Sequence, residues 1–171
     1  KEYLDYLKNL YPHVTFCDIR PEMTLLRMKK SSYEISKIKE AINSTHHGIN
    51  QILLNLKSNK KEKSFANIFE FYGREKEETT LAFSTIVASG INATCLHYPS
   101  QNDLVKENDL VLLDLGYKKD GYCGDISRTY PVNGVFNELQ RKIYSIVLLC
   151  NKAVIEYAHA GLTISDLQKF T

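Results

Sequence analysis

Several features that define special classes of protein are absent from this sequence of 171 residues. No apolar run approaches the length of about 20 residues that a membrane-spanning helix needs. No signal-peptide pattern opens the given residues. Lys and Arg number 22 against 20 Asp and Glu, and apart from one run at 59–63 they are scattered, so the sequence has no basic patch for nucleic acid. We therefore expect neither a membrane nor a nucleic acid as a partner.

Cysteine is also sparse and follows no recognisable pattern. The chain has four cysteines, which lie far apart and form no CxxC pair: Cys17, Cys95, Cys123 and Cys150. This spacing fits reduced thiols better than a disulfide framework or a zinc knuckle, and it predicts a cytoplasmic protein. Because the chain starts with Lys1 inside amphipathic sequence, we expect these residues to be part of a longer polypeptide.

What the sequence does contain is a clear succession of hydrophobic periods, in a chain long enough for one substantial core. Helical spacing predicts a helix that ends before Pro12, three more at about 32–57, 64–78 and 137–158, and another beginning at Ser165. Ser31 and Glu34 have the spacing of a capping box at the start of the long second helix. Short β-rich segments are predicted at 13–19, 84–90, 92–98, 109–117 and 122–132.

The last two β-rich segments carry a pair of aspartates on either side of a turn. Asp120 and Gly121 tolerate the positive φ of a type I′ turn, which predicts a hairpin with Asp114 opposite Ser127. Since side chains alternate between faces, Asp125 points to the same face as Ser127. It is then a diagonal neighbour of Asp114, with Cβ atoms about 7 Å apart or less.

Two ionised carboxylates at this distance repel each other, and burying either costs several kcal/mol unless a positive charge lies between them. The side chain of Arg128 points to the opposite face by the same alternation, so a divalent cation is the best remaining candidate. The alternative is that the aspartates only cap a turn or pair with a surface lysine. The apolar run 110–113 favours the metal, because it places Asp114 in a buried strand, where an unpaired carboxylate is rare.

The string LVLLDLGYKKDGYCGDISRTYPVNG, residues 110–134, resembles the first metal-ligand segment of the creatinase and aminopeptidase P family of metallopeptidases. This family has the pita-bread fold and includes prolidase and methionine aminopeptidase. Two neighbouring strings agree with the resemblance, TIVASGINATCLHY at 85–98 and the helix that follows the hairpin, and it covers nearly the whole chain from about residue 24. The ending RTYPVNG favours the Xaa-Pro aminopeptidase or prolidase branch.

The resemblance implies a role for individual residues of the chain. Asp114 matches a carboxylate that binds one metal, and Asp125 matches the carboxylate that bridges both. His97 matches a histidine that contacts the substrate and steadies the transition state. Without the resemblance, a strand histidine bonded to a backbone carbonyl is the favoured interpretation. The two divalent ions, Mn, Co or Zn, activate water and polarise the scissile carbonyl. Ser127 lies on the same face as the aspartates and could position a ligand oxygen.

The resemblance also implies an α+β pita-bread fold, incomplete here, with helices packed on a curved antiparallel sheet. Residues 1–23 would be the tail of the family's N-terminal domain, and residues 24–171 the first half of its catalytic domain. In the family, one His and two Glu from downstream segments complete the metal site, and none of the other histidines stands in such a motif: His13, His46, His47 and His159. We therefore expect these residues alone to bind metal weakly, to be inactive, and to leave apolar sheet surface uncovered.

The whole protein is predicted to be a dinuclear-metal Xaa-Pro aminopeptidase, a manganese-type hydrolase that removes the N-terminal residue from peptides with proline in second position. We also expect it to form a homo-oligomer. Two alternatives stay open at this point. One is a prolidase, and the other is a metal-free relative of the same fold that binds a peptide or a protein. The presence of both Asp114 and Asp125 favours an enzyme, since a binding module has no need of two crowded carboxylates.

Overall fold

The structure is a computed structural model that describes residues 2–76 and 79–171. The helices of this part of the chain are α1 to α6, which span Glu2–Leu10, Arg20–Met28, Ser32–Asn55, Glu62–Lys76, Glu138–Tyr157 and Ile164–Phe170. The strands are β1 to β6, which span Thr80–Leu81, Ile86–Ser89, Leu110–Leu115, Tyr117–Lys119, Tyr122–Cys123 and Ile126–Pro131. A short 3₁₀ helix occupies Gly90–Thr94.

The strands form two antiparallel three-stranded sheets, in the orders β1-β4-β5 and β2-β3-β6. Helices α3 and α4 pack against each other and against these strands. The core between helices and strands contains these fully buried large side chains: Ile49, Ile52, Phe65, Phe69, Val87, Val105, Val111, Leu113, Leu115 and Tyr117. The predicted α+β class, with helices on an antiparallel sheet, is confirmed.

Local sequence signals set several element boundaries as predicted. Helix α1 ends at Leu10, before Pro12. Helix α3 begins with the predicted capping box, in which the Ser31 hydroxyl accepts a hydrogen bond from the Glu34 N–H and the Glu34 carboxylate accepts one from the Ser31 N–H. This reciprocal pair satisfies two of the four orphan N–H groups at a helix start, so the sequence fixes where the longest helix begins.

Two predicted strands are wrong. Residues 13–19 are irregular and mostly exposed, because no strand of the described residues pairs with them. Residues 92–98 form part of the 3₁₀ helix and a turn, because Gly90 takes a φ of +54° directly after β2 and leads the chain out of the sheet. A β-rich composition makes a strand only where a neighbouring strand can satisfy its backbone groups.

Helix α2 was not predicted, although Pro21 lies in its first turn, where proline is favoured. The predicted domain boundary between residues 23 and 24 falls inside this helix, and the division of the chain into domains stays a prediction. None of α1, α2, α5 and α6 contains a buried residue. The sequence predicted uncovered apolar surface on the sheet, and this stays a prediction. The apolar surface that the structure exposes here is on helix α5: Leu139, Ile143, Ile146, Val147, Leu149 and Ile155.

The hairpin of β3, β4, β5 and β6 has the predicted register, since Asp114 pairs with Ser127 and Lys119 pairs with Tyr122. Its turn residues Asp120 and Gly121 both have positive φ, at 49° and 86°. Lys37 of α3 forms a 2.9 Å ion pair with Asp120. This contact fastens the turn to the helix. The hydrogen bond from Lys37 also holds the pKa of the Asp120 carboxyl below its usual value.

Halfway along the hairpin, the paired strands break where they press against α3. The Tyr117 N–H donates to the Thr45 hydroxyl at 2.9 Å, and the Gly124 N–H donates to the Tyr117 carbonyl at 2.8 Å. A Cβ atom on Gly124 would lie 2.6 Å from the Thr45 hydroxyl and 2.9 Å from the Ala41 carbonyl. Only glycine fits here, and it is the residue directly before Asp125.

We predict that Gly124→Ala lowers the free energy of unfolding of the full-length protein by roughly 1–3 kcal/mol, because the added methyl group overpacks the contact with α3. Denaturant titration followed by circular dichroism measures this change. Gly134→Asn is the matched control, since Gly134 has a φ of +79° that Asn tolerates and a Cβ there would meet nothing within 4 Å. Equal stability of the Gly124→Ala variant and the unmodified protein would contradict the prediction.

Candidate active site

A cavity of about 680 Å³ lies on the side of the hairpin that faces away from α3. It brings together all four residues that the sequence singled out, His97, Asp114, Asp125 and Ser127. The rest of its wall comes from the segments on either side of β2 and His97: Phe83, Ser84, Thr85, Ile86, Tyr98, Pro99 and Gln101. The aspartates and the histidine can therefore reach one bound molecule.

Asp114 lies near the end of β3, the central strand of its sheet, between Ile86 of β2 and Ser127 of β6. Burial alternates along β3, with Val111, Leu113 and Leu115 fully buried toward the helices. Asp114 therefore points to the other face, where it is half-buried and lines the cavity. The pairing of strands on both sides makes this a rigid position for a ligand.

Ser127 lies directly opposite and contacts the first aspartate. Its hydroxyl donates a 2.9 Å hydrogen bond to one oxygen of Asp114, Oδ1. This bond fixes the rotation of the carboxylate and leaves its second oxygen to face the cavity. The suggestion that Ser127 positions a ligand oxygen fits this geometry, and the role itself stays a prediction.

Asp125 lies in the short break between β5 and β6, directly after Gly124, and its side chain is exposed. Among residues 2–76 and 79–171, nothing donates a hydrogen bond to its carboxylate. Arg128 does not line the cavity, and its guanidinium donates to the Ser127 carbonyl at 2.8 Å. This placement agrees with the prediction that Arg128 points away from the aspartates.

His97 lies in the loop between the 3₁₀ helix and residue 104, and not in the strand that the sequence predicted. Its backbone has a φ of +53°, in the left-handed region that costs a non-glycine residue free energy. The imidazole is exposed, and no hydrogen bond to it occurs within the described part of the chain. A strained, exposed histidine at the mouth of the cavity is available to a ligand, and the alternative of a strand histidine bonded to a backbone carbonyl does not apply.

Sequence patterns did not indicate the polar side chains of Thr85 and Gln101, which also line this cavity. The Gln101 side-chain amide donates to the Thr85 carbonyl at 2.6 Å. The Thr85 hydroxyl and the Gln101 side-chain carbonyl are buried without a hydrogen-bond partner among the described residues. Tyr98 and Gln101 lie one and four positions after His97 in the sequence. That short separation is the sequence feature from which their place in the site could have been predicted.

The donor set of this site is incomplete for a metal. No group of three or more His, Cys, Asp or Glu side chains that could hold an ion occurs in residues 2–76 and 79–171. The other histidines, His13, His46, His47 and His159, do not line the cavity. Two carboxylates on one face nevertheless match the oxygen donors that divalent cations prefer, so the residues fit part of a metal site.

Comparison with protein families identifies the chain. Residues 36–171 match metallopeptidase family M24, and the chain belongs to this family. The match contains His97 and the whole hairpin with Asp114 and Asp125, and M24 membership implies divalent metal ions as cofactors.

Two curated relatives illustrate the level of similarity. The Xaa-Pro aminopeptidase of Escherichia coli is 33% identical over 168 residues, which are 94% of this chain and 36% of that protein. The mitochondrial intermediate cleaving peptidase 55 of Arabidopsis thaliana is 31% identical over 146 residues, 85% of this chain and 30% of that protein. The chain thus spans about a third of the length of these relatives.

Solved structures show that the fold is the pita-bread fold of aminopeptidase P, present in part. A candidate aminopeptidase P of Bacillus anthracis has a TM-score of 0.93 and 40% identity, over 99% of this chain and 40% of that one. The X-Pro aminopeptidase of Thermotoga maritima has a TM-score of 0.87 and 28% identity, over 98% of this chain and 47% of that one. The predicted incomplete fold is confirmed.

Among the described residues, every helix is too short or too polar to span a bilayer.

We predict that Ser127→Ala weakens the binding of Mn²⁺ to the full-length protein about 10–100-fold, because the carboxylate of Asp114 loses the hydroxyl that fixes its orientation. Isothermal titration calorimetry measures the affinity. Ser145→Ala is the matched control, since Ser145 is exposed on α5. An unchanged Mn²⁺ affinity in Ser127→Ala would show that the hydrogen bond between Ser127 and Asp114 does not support a metal ligand.

Proposed function

We propose that the full-length protein is a metal-dependent Xaa-Pro aminopeptidase, which removes the N-terminal residue from peptides with proline in second position. The observation that carries the proposal is the cavity shared by Asp114, Asp125 and His97. The names of the relatives support it, since the E. coli protein is an Xaa-Pro aminopeptidase and the Thermotoga maritima structure is that of an X-Pro aminopeptidase.

In this proposal, Asp114 and Asp125 hold two divalent ions together with further ligands from the rest of the full-length protein. Asp114 offers the oxygen that Ser127 does not occupy, and Asp125 offers both of its oxygens, which suits a bridging ligand. When bound, the ions activate water and polarise the scissile carbonyl. The identity of the metal, manganese in our prediction, belongs to the proposal.

His97 would donate a hydrogen bond to the substrate as charge develops on the scissile carbonyl. Its exposed ring has no competing partner in the described residues and lies at the same cavity as the aspartates. The similar solved structures include single alanine variants of the E. coli enzyme at a histidine and at an aspartate that lie 17 positions apart. His97 and Asp114 have the same separation, which supports matching them to those two residues.

The cavity suits a short peptide. Its volume of about 680 Å³ is within the range of small-molecule sites, and its walls combine apolar side chains with polar groups. Phe83, Ile86 and Pro99 provide apolar surface that could pack against a proline ring.

We predict that Asp125→Asn removes nearly all activity of the full-length protein toward an Xaa-Pro peptide, because an amide is a poor bridging ligand and lacks the negative charge. The assay is the release of the N-terminal amino acid in the presence of Mn²⁺, with circular dichroism as the check on folding. Asp5→Asn on the exposed helix α1 is the matched control and should leave activity unchanged. Activity of Asp125→Asn within tenfold of the unmodified enzyme would count decisively against the assignment.

The same assay separates the alternatives. Cleavage of Xaa-Pro dipeptides but not of longer peptides would indicate a prolidase. Peptide binding without cleavage, and without stoichiometric metal, would indicate a binding module of the same fold.

We predict that His97→Ala lowers kcat by a factor of roughly 10² or more, the range typical for losing one transition-state donor. Metal content should persist, because the proposed role of His97 concerns the substrate. Steady-state kinetics and metal analysis by mass spectrometry test both statements on the full-length protein. Loss of metal in proportion to activity would show that His97 is a ligand instead.

A further inference from the structure

The loop that carries His97, residues 90–103, is fastened at both ends to the first turn of α4. The helix begins at Glu62, which is completely buried although it lies beside a run of lysines. No part of the proposed metal chemistry uses this carboxyl group. Its contacts show what it holds.

One oxygen of Glu62, Oε1, accepts three hydrogen bonds from the junction between β2 and the loop. The donors are the Ser89 N–H at 2.7 Å, the Ser89 hydroxyl at 2.8 Å and the Asn92 side-chain amide at 3.1 Å. The other oxygen is buried without a hydrogen-bond partner among the described residues. A buried carboxyl group that binds one short segment three times fixes that segment firmly, because an unmade bond would leave buried polar atoms unsatisfied.

Asn92 extends this contact to the residue beside His97. Its side-chain nitrogen lies 3.0 Å from the Tyr98 hydroxyl and 2.9 Å from a carboxylate oxygen of Asp103, in addition to Glu62. The nitrogen is therefore surrounded by oxygen acceptors, which sets the orientation of the amide. Burial, and then the nearby carboxylates of Glu62 and Asp103, raise the pKa of the Tyr98 hydroxyl, so it stays protonated.

The other end of the loop is held by the backbone of the same helical turn. The Glu62 N–H donates to the Asp103 carbonyl at 3.0 Å, and the Lys63 N–H donates to the Gln101 carbonyl at 2.9 Å. These are N–H groups that a helix start cannot satisfy internally. The loop thus caps α4, while the side chain of Glu62 holds the beginning of the loop.

We propose that Glu62, Asn92 and Tyr98 are positioning residues that hold His97 in its left-handed backbone conformation at the mouth of the cavity. This conformation has a φ of +53° and needs surrounding contacts to persist. His97 itself has no hydrogen bond within the described residues, so its geometry depends on its neighbours in the loop. The inference rests on the proposed function of His97 and adds the residues through which its position is set.

A double-mutant cycle in the full-length, metal-loaded protein tests the inference. Asn92→Asp replaces the side-chain nitrogen, which faces oxygens of Glu62, Tyr98 and Asp103, by another oxygen. Tyr98→Phe removes a single hydroxyl and is the variant that disturbs the fold least. Each should lower kcat roughly tenfold with little change in KM, since misplacing a catalytic group affects the chemical step. In the His97→Ala background, each should change kcat less than twofold, because its effect passes through His97.

Tyr33→Phe is the matched control, since this tyrosine is exposed on α3 and far from the loop in sequence. Equal losses of kcat from Tyr98→Phe in both backgrounds would overturn the inference, because Tyr98 would then act independently of His97. No loss of kcat from either Asn92→Asp or Tyr98→Phe would overturn it as well.

Hydrogen exchange followed by mass spectrometry gives a readout that does not depend on activity. Asn92→Asp and Tyr98→Phe should raise amide exchange in peptides from 90–103 and leave β3 and β6 unchanged. Unchanged exchange in the loop would contradict the inference even if activity falls. If His97→Ala leaves kcat unaltered, the proposed role of His97 fails, and loop exchange then decides by itself whether these residues hold the loop.

Discussion

The contact between α3 and the break in the hairpin determines where the two candidate ligands lie. At this point the Thr45 hydroxyl receives the backbone N–H of Tyr117, and Gly124 lies too close to the helix for any side chain. The hairpin register continues across the break, since Leu115 pairs with Ile126 and Lys118 pairs with Cys123. Asp125 therefore lies outside the regular strands, but the unchanged register keeps it on the same face of the hairpin as Asp114. Both aspartates line the same cavity.

The residues of the candidate site lie on two kinds of structural element, paired strands and a loop. Asp114 and Ser127 lie on paired strands of one sheet, where the backbone has little freedom, and this suits ligands whose geometry a metal demands. His97 lies on a loop held by side-chain and backbone contacts to α4. A loop can accommodate a substrate, and a strand keeps a coordination sphere in place. The two supports meet at one cavity because β2 leads directly into the loop.

Local chemistry made much of this arrangement predictable. The Asp120-Gly121 turn predicted that Asp114 faces Ser127, and the capping box at Ser31 predicted the start of α3, because both depend on neighbouring residues alone. Residues 13–19 and 92–98 were wrongly predicted as strands, since composition does not reveal whether a partner strand exists. The burial of Glu62 could not be foreseen either, because its adjacent lysines indicate a solvated surface and its partners are 27 or more positions away.

Anomalous diffraction from crystals of the full-length protein grown with Mn²⁺ would show whether Asp114 and Asp125 bind metal ions. We expect two anomalous peaks in the cavity, both within bonding distance of the Asp125 carboxylate and one also bound by Asp114. We also expect Ser127 to retain its hydrogen bond to Asp114 and His97 to approach the site without binding either ion. Two peaks held by other residues, or a cavity without manganese beside an intact hairpin, would contradict the assignment of these aspartates as metal ligands.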